Sequence, residues 1–125
     1  MRDLVGYGRS GPGVNWPGGA RVALSLAVHF EEGAERTPLD GDATAEPFVE
    51  GMVVEGERRD LNIESMFEYG SRRGVWRLLD LFDKYGVKAT FFCSGLAVER
   101  NPVAARDIVD RGHEAAGHGF RWAPY

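Results

Sequence analysis

Five stretches of the chain carry a clear hydrophobic signal. RVALSLAVHF (21–30) is a run of β-branched and apolar residues with little alternation. That pattern predicts a strand covered on both faces, as in a parallel sheet. SRRGVWRLLDLFDKYG (71–86) sets Val75, Leu78, Leu79, Phe82 and Tyr85 on one stripe at i, i+3/i+4 spacing. It predicts a helix with Ser71 as N-cap and Gly86 just past its end. VKATFFCSG (87–95) reads as a second strand ending at Gly95. NPVAARDIVDRG (101–112) reads as a second helix, with Asn101 as cap, Pro102 at the first helical position and Gly112 as the stop. HEAAGH (113–118) is a third, short strand with small residues inside.

The remainder has no such periodicity. Residues 1–20 hold six Gly and two Pro and read as an irregular arm. Within it GYGRSG (6–11) matches G-x-G-x-x-G, but a dinucleotide fingerprint needs a strand before it and a helix after it. Only five residues precede this one, and PGVNWPGG follows. Residues 33–70 are rich in Gly, Pro, Asp and Glu, with short apolar pieces such as FVEGMVV. A connection of this length is usually functional or disordered. Its end, NIESMFEYGSR, mixes aromatic, acidic and basic residues, and reads either as pocket lining or as a flap packed by Met66, Phe67 and Tyr69.

The order strand, long loop, helix, strand, helix, strand is βαβαβ, an α/β class with a parallel sheet and right-handed crossovers. Sites in such folds lie at the C-terminal ends of the strands. Three ends are available: His29–Glu32, Cys93–Gly95 and His118–Trp122. Topology alone therefore gathers the chemically interesting residues on one rim.

Composition narrows the function classes. A chain of 125 residues with 43% hydrophobic and 27% charged residues suits one globular domain. A net charge of −4 argues against a nucleic-acid or anionic-membrane partner, which needs clustered positive charge. The single cysteine excludes an internal disulfide framework. No apolar run has the length of a membrane span, and the opening MRDLVGYGRSGPG lacks a signal-peptide core. A cytoplasmic location is the expectation.

A first strand ending in two acids (AVHFEEG), then ATFF with a small residue and Gly, then GHEAAGH with a histidine at the strand end: this resembles the polysaccharide deacetylase superfamily, the NodB-homology domain. The resemblance runs from Arg2 to Tyr125. It implies the N-terminal part of a distorted (β/α) barrel and hydrolysis of non-peptide C–N bonds, including removal of acetyl groups from sugars. The family's usual signature has two aspartates at the first strand end, one a general base and one a metal ligand, and two histidines four residues apart that also bind the metal. Here the aspartates are Glu31 and Glu32, the first histidine is His118, and the second position holds Trp122. FEEG, ESMFEYGSRRGVWRL and HGFRW are similar instead to the metal-independent allantoinase branch.

The chemistry available follows from these residues. A catalytic zinc takes three protein ligands and leaves one position open. His118 and one glutamate make two. His113, five strand residues from His118, lies ~16 Å away. His29 shares a face with Glu31 but sits one pleat deeper. No metal is therefore expected, with zinc as the alternative. Without a metal, water must still be deprotonated and the oxyanion stabilised. A carboxylate beside another in a partly dry cleft has a raised pKa, which makes it a better base. Glu31 is the expected base, with Glu32 or His118 orienting substrate or water. Both glutamates reach one pocket only if the strand breaks, which Gly33 permits.

Tyr69, Arg72, Arg121 and Trp122 are the candidate substrate contacts. The two guanidinium forks suit an anionic or ureide group, and equally a surface salt bridge. Trp122 offers an aromatic wall or plain packing. Cys93 could serve a Cys–His hydrolase, but a lone cysteine in TFFCSG reads as a small buried residue. The expected partner is a small amide, ureide or N-acetyl substrate.

A closed barrel of this type runs to roughly 250 residues. The chain is thus expected to be an incomplete domain: a fragment, half of a split enzyme, or one copy of a homo-oligomer that covers the open sheet. A non-catalytic binding fragment is the remaining function class.

Overall fold

The computed structural model describes residues 1–47, 56 and 58–122. Three strands, β1 (Ala27–Phe30), β2 (Thr90–Cys93) and β3 (Glu114–Gly117), form one parallel sheet in the order β1-β2-β3. Four helices accompany them: α1 (Leu61–Tyr69), α2 (Val75–Tyr85), α3 (Gly95–Arg100) and α4 (Pro102–Asp110). This is the predicted βαβαβ order.

The first strand is shorter than the 21–30 run. The register pairs Ala27 with Thr90. Residues 21–25 would fall beside the end of α2 and its turn, where no strand exists to receive them, and they are exposed. That turn is fixed by Gly86 at φ +62°, whose N–H donates to the Asp83 and Phe82 carbonyls. The predicted Gly86 stop is therefore the observed one. Asn101 and Pro102 also hold their predicted places, the Asn101 side chain accepting from the Ala104 N–H.

The helix expected to start at Ser71 begins ten residues earlier. The Asp60 carboxylate accepts from the Asn62 and Ile63 N–H groups and caps α1. The chain then passes through a π-helical turn, Gly70–Gly74, straight into α2. Ser71 is no cap; its hydroxyl and carbonyl oxygens accept from the Asn101 amide. Residues 61–70, the end of the long 33–70 connection, are thus helical. The FVEGMVV piece lies outside the described residues. Helix α3 was not anticipated from the pattern.

The core lies between one face of the sheet and helices α2 and α4. Phe30, Phe91 and Cys93 pack with Val75, Leu79, Phe82, Ala104 and Ile108. From the predicted stripe, Val75, Leu79 and Phe82 are buried, while Leu78 and Tyr85 are exposed. The opposite face is open: the His29 side chain there is 55% exposed. The first strand is therefore covered on one face, not two, among the described residues. The arm is exposed throughout, and Gly6 and Gly8 of the G-x-G-x-x-G match lie in turns at positive φ, without the flanking strand and helix.

His113 joins β3 to the core. It is buried against Phe82 and Phe91, and its Nδ1 accepts from the Ala89 N–H. Burial, and then the Lys88 charge, hold its pKa below the ordinary value, with Asp83 opposing. The unfolded chain then binds more protons than the folded one below about pH 6.5. Stability should be fully present above that pH and fall as the solution is acidified. His113→Gln should flatten this acid limb in urea titrations at pH 5 and pH 8, and an unchanged slope would count against it.

Candidate active site

The rim at the C-terminal strand ends carries a cluster of three side chains. One oxygen of Glu31, Oε1, accepts a hydrogen bond from His29 Nδ1 at 3.0 Å and lies 2.6 Å from His118 Nε2. The imidazoles meet edge to face, with ring centroids 5.0 Å apart. Phe92, on the central strand, packs against both, 5.6 Å from His29 and 6.2 Å from His118. Glu31 is only 8% exposed, whereas both histidines are open to solvent on one side.

Local sequence explains the placement. His29 and Glu31 alternate with the buried Phe30 and so share the open face. His118 continues β3 by one residue, its N–H donating to the Cys93 carbonyl. The chain turns away from the strand line at Gly33, φ +97°, but the turn does not bring the two glutamates into one pocket. His29 is the residue that spacing undervalued: although one pleat deeper, its ring reaches Oε1. The donor count is therefore three, His29, Glu31 and His118, with all three ligand atoms within 4.8 Å of one another. Two imidazole nitrogens and one carboxylate oxygen form a donor set that suits a divalent transition metal.

Glu32 occupies a different environment. Its Oε2 accepts from the Glu31 N–H at 3.2 Å, and its carboxyl faces α1 rather than the histidines. Burial raises its pKa; hydrogen bonds from its own and the Glu31 backbone oppose this, and the charges of Glu31 and Glu35 add to it. The carboxyl that desolvation pushes up is thus the second of the pair.

The candidate substrate contacts divide. Trp122 lies near the cluster strand end, edge to face with Phe67 at 6.2 Å. Arg121 is committed to the loop: it donates to both Asp42 oxygens, at 3.0 and 2.6 Å, and to the Glu35 carbonyl at 3.0 Å. Arg72 forms an exposed pair with Glu68. The Tyr69 hydroxyl accepts from Arg77, also on the helical surface. Cys93 is buried, its thiol donating to the Phe91 carbonyl, and burial raises its pKa, which disfavours a nucleophilic thiolate.

The rim, the parallel sheet and the acidic strand end agree with sequence relationships. The family model for polysaccharide deacetylase matches residues 55–125. The chain belongs to the polysaccharide deacetylase family. A Schizosaccharomyces pombe protein that carries a polysaccharide deacetylase name is 41% identical over 99% of the chain. Among solved structures, Puue allantoinase is 43% identical with a TM-score of 0.86 over 99% of the chain. A structure titled as a probable polysaccharide deacetylase from Pseudomonas aeruginosa PAO1 is 46% identical with the same TM-score. The chain spans 40% of the yeast protein and 42% of each of these two structures, so the family's barrel is only partly present. No helix among the described residues is long and apolar enough to cross a membrane.

The Arg121 clamp generates a prediction. Asp42 is held below its ordinary pKa chiefly by the hydrogen bonds from Arg121, and hydrogen bonds to charged groups contribute about 1.5–3 kcal/mol when well formed. Both residues are partly exposed, so solvent screening brings the effect below that range. Arg121→Ala should destabilise the chain by about 1 kcal/mol in urea unfolding, with the difference from wild type vanishing as pH falls through the Asp42 titration.

Proposed function

We propose that the chain carries the catalytic rim of a hydrolase acting on non-peptide C–N bonds of a small amide, ureide or N-acyl substrate. The observation that supports it most is the Glu31 carboxylate held between His29 and His118 at the strand ends. In the metal-independent, allantoinase-type reading, Glu31 takes a proton from water and the hydroxide adds to the acyl carbon. His118 orients the water, and an imidazole N–H released from Glu31 once the carboxylate is protonated would stabilise the oxyanion. Collapse of the intermediate breaks the C–N bond, and the proton held by Glu31 passes to the departing nitrogen. Family membership and the allantoinase neighbour support the reaction class.

The three-donor cluster favours a second reading, a zinc-dependent deacetylase. His29, Glu31 and His118 would hold the ion, which when bound supplies Lewis-acid activation of water. A homo-oligomer or a further length of chain would complete the sheet, whose β1 and β3 each keep a free edge among the described residues. Light scattering on the purified chain distinguishes a monomer from an assembly.

Glu31→Gln should abolish turnover of allantoin or of N-acetylated sugars, by at least ~100-fold for loss of a general base, with an unchanged circular dichroism spectrum. Retained turnover would sink the assignment. Turnover that survives EDTA dialysis supports the metal-free reaction. Loss restored by zinc supports the second reading. A folded wild-type chain that turns over neither substrate class would leave it a binding fragment.

A further inference from the structure

The chain changes hydrogen-bond partners directly after His118. Up to that residue β3 follows a regular parallel ladder, and the His118 N–H donates to the Cys93 carbonyl at 3.0 Å. The next rung of such a ladder runs from the Gly95 N–H to the His118 carbonyl. Here that N–H donates to the Gly119 carbonyl instead, at 2.9 Å, and the Leu96 N–H donates to the Phe120 carbonyl at 2.8 Å. The pairing is offset by one residue, as in a bulge. Gly119 supplies the offset at φ +72°, a left-handed conformation that suits glycine. The His118 carbonyl, passed over, faces the Ser94 hydroxyl 3.4 Å away. Ser94 stands at the N-cap of α3 but makes no cap hydrogen bond there. Its own N–H donates to the Phe30 carbonyl at 3.1 Å, so this fully buried residue lies between the ends of both outer strands.

The offset requires a close approach at Gly95. A Cβ there would stand 2.7 Å from Phe120 Cδ2 and 3.3 Å from Phe120 Cα. The exposed ring can swing aside, but the Cα is pinned by the hydrogen bond from Leu96. Two residues on, the Trp122 N–H donates to the Ala34 carbonyl, and the Ala34 N–H donates to the Glu31 carbonyl. The segment after His118 is thus fastened to the start of α3 on one side and to the turn after Glu31 on the other. We propose that Gly95 and Gly119 are positioning residues: the offset they permit holds the His118 imidazole against the Glu31 carboxylate. Without it the segment loses its backbone anchors on α3, and the imidazole is left on a loose strand end. The proposal rests on the hydrolase reading only for what the placed imidazole then does.

The test reads the two rings directly. The His29 and His118 centroids are 5.0 Å apart, close enough for a ring-to-ring nuclear Overhauser cross-peak, and His113 is the only other histidine. The wild-type chain should show that cross-peak. Gly95→Ala should lose it while the His113 contacts with Phe82 and Phe91 persist, although alanine is the better helix former at the start of α3. Adding Phe120→Ala, which removes the ring atom at 2.7 Å, should restore part of it. Gly119→Val should also lose the cross-peak, and Gly119→Asn, whose side chain tolerates the left-handed region, should retain it. A cross-peak unchanged in Gly95→Ala or in Gly119→Val overturns the proposal, as does its absence from the folded wild-type chain. If either single variant fails to fold, its rescue decides: the Gly95→Ala, Phe120→Ala double variant or Gly119→Asn supports the proposal when the cross-peak is present and overturns it when absent. In a chain that turns over allantoin or an N-acetylated sugar, Gly95→Ala should lower kcat ~100-fold with KM little changed, about what ~1 Å of misplacement costs. The same cross-peak pattern in a chain that never turns over substrate would keep the positioning and discard the hydrolase.

Discussion

The parallel register of three short strands is the constraint on which the rest depends. Phe30 pairs with Cys93, and Cys93 with Gly117, so these residues form one row. One step further along lie Glu31, Ser94 and His118. The outer strands of such a sheet are ~9.6 Å apart. Glu31 and His118 meet because their side chains lean toward each other across a central position held by the small, fully buried Ser94. A slip of one residue in β3 would turn His118 to the helix-covered face and leave Glu31 with His29 alone. The register is held by the other face, where Phe30, Phe91 and Cys93 key into α2 and α4. Packing on one side of the sheet thus fixes the chemistry on the other.

A second layer of order comes from arginine clamps. Arg36 holds Glu46 across the loop that follows β1. Arg100, at the end of α3, reaches Asp40 and the Gly33 carbonyl. Arg121 reaches Asp42 and the Glu35 carbonyl. Each guanidinium fork ties the acidic 33–47 segment to itself, to the end of α3 or to the chain just after β3, and bidentate geometry gives these pairs direction that lysine would lack. The charge-rich composition of that segment, part of the long connection read as functional or disordered, is how it is fastened beside the site.

Signals that act over a few residues were legible in the chain. Asn101, Pro102 and Gly86 mark helix ends because each acts on neighbouring backbone groups, and the strand-helix alternation dictates a parallel sheet. The misses required partners distant in sequence. Strand β1 is cut short at Ala27 by where β2 begins, 63 residues later. Helix α1 has only one buried residue, Ile63, so it shows little stripe to read, although Asp60 was available as a cap. His29 was discounted by pleat depth, whereas its ring, packed beside Phe92 of the next strand, reaches Oε1. Arg121 suited a substrate and a salt bridge equally in the sequence, because Asp42 is 79 residues away in the chain.

Adjacent glutamates ending a strand invite the reading of one joint site, yet their surroundings pull them apart. Glu31 is held between two imidazoles on the open face. Glu32, one peptide on and past the strand's last pair, turns against Gly70 and an aromatic wall, where burial disfavours charge. The division follows from backbone geometry: the alternation of β1 continues through Glu31 and ends before Gly33, so the first acid obeys the sheet and the second obeys the helix packed beside it.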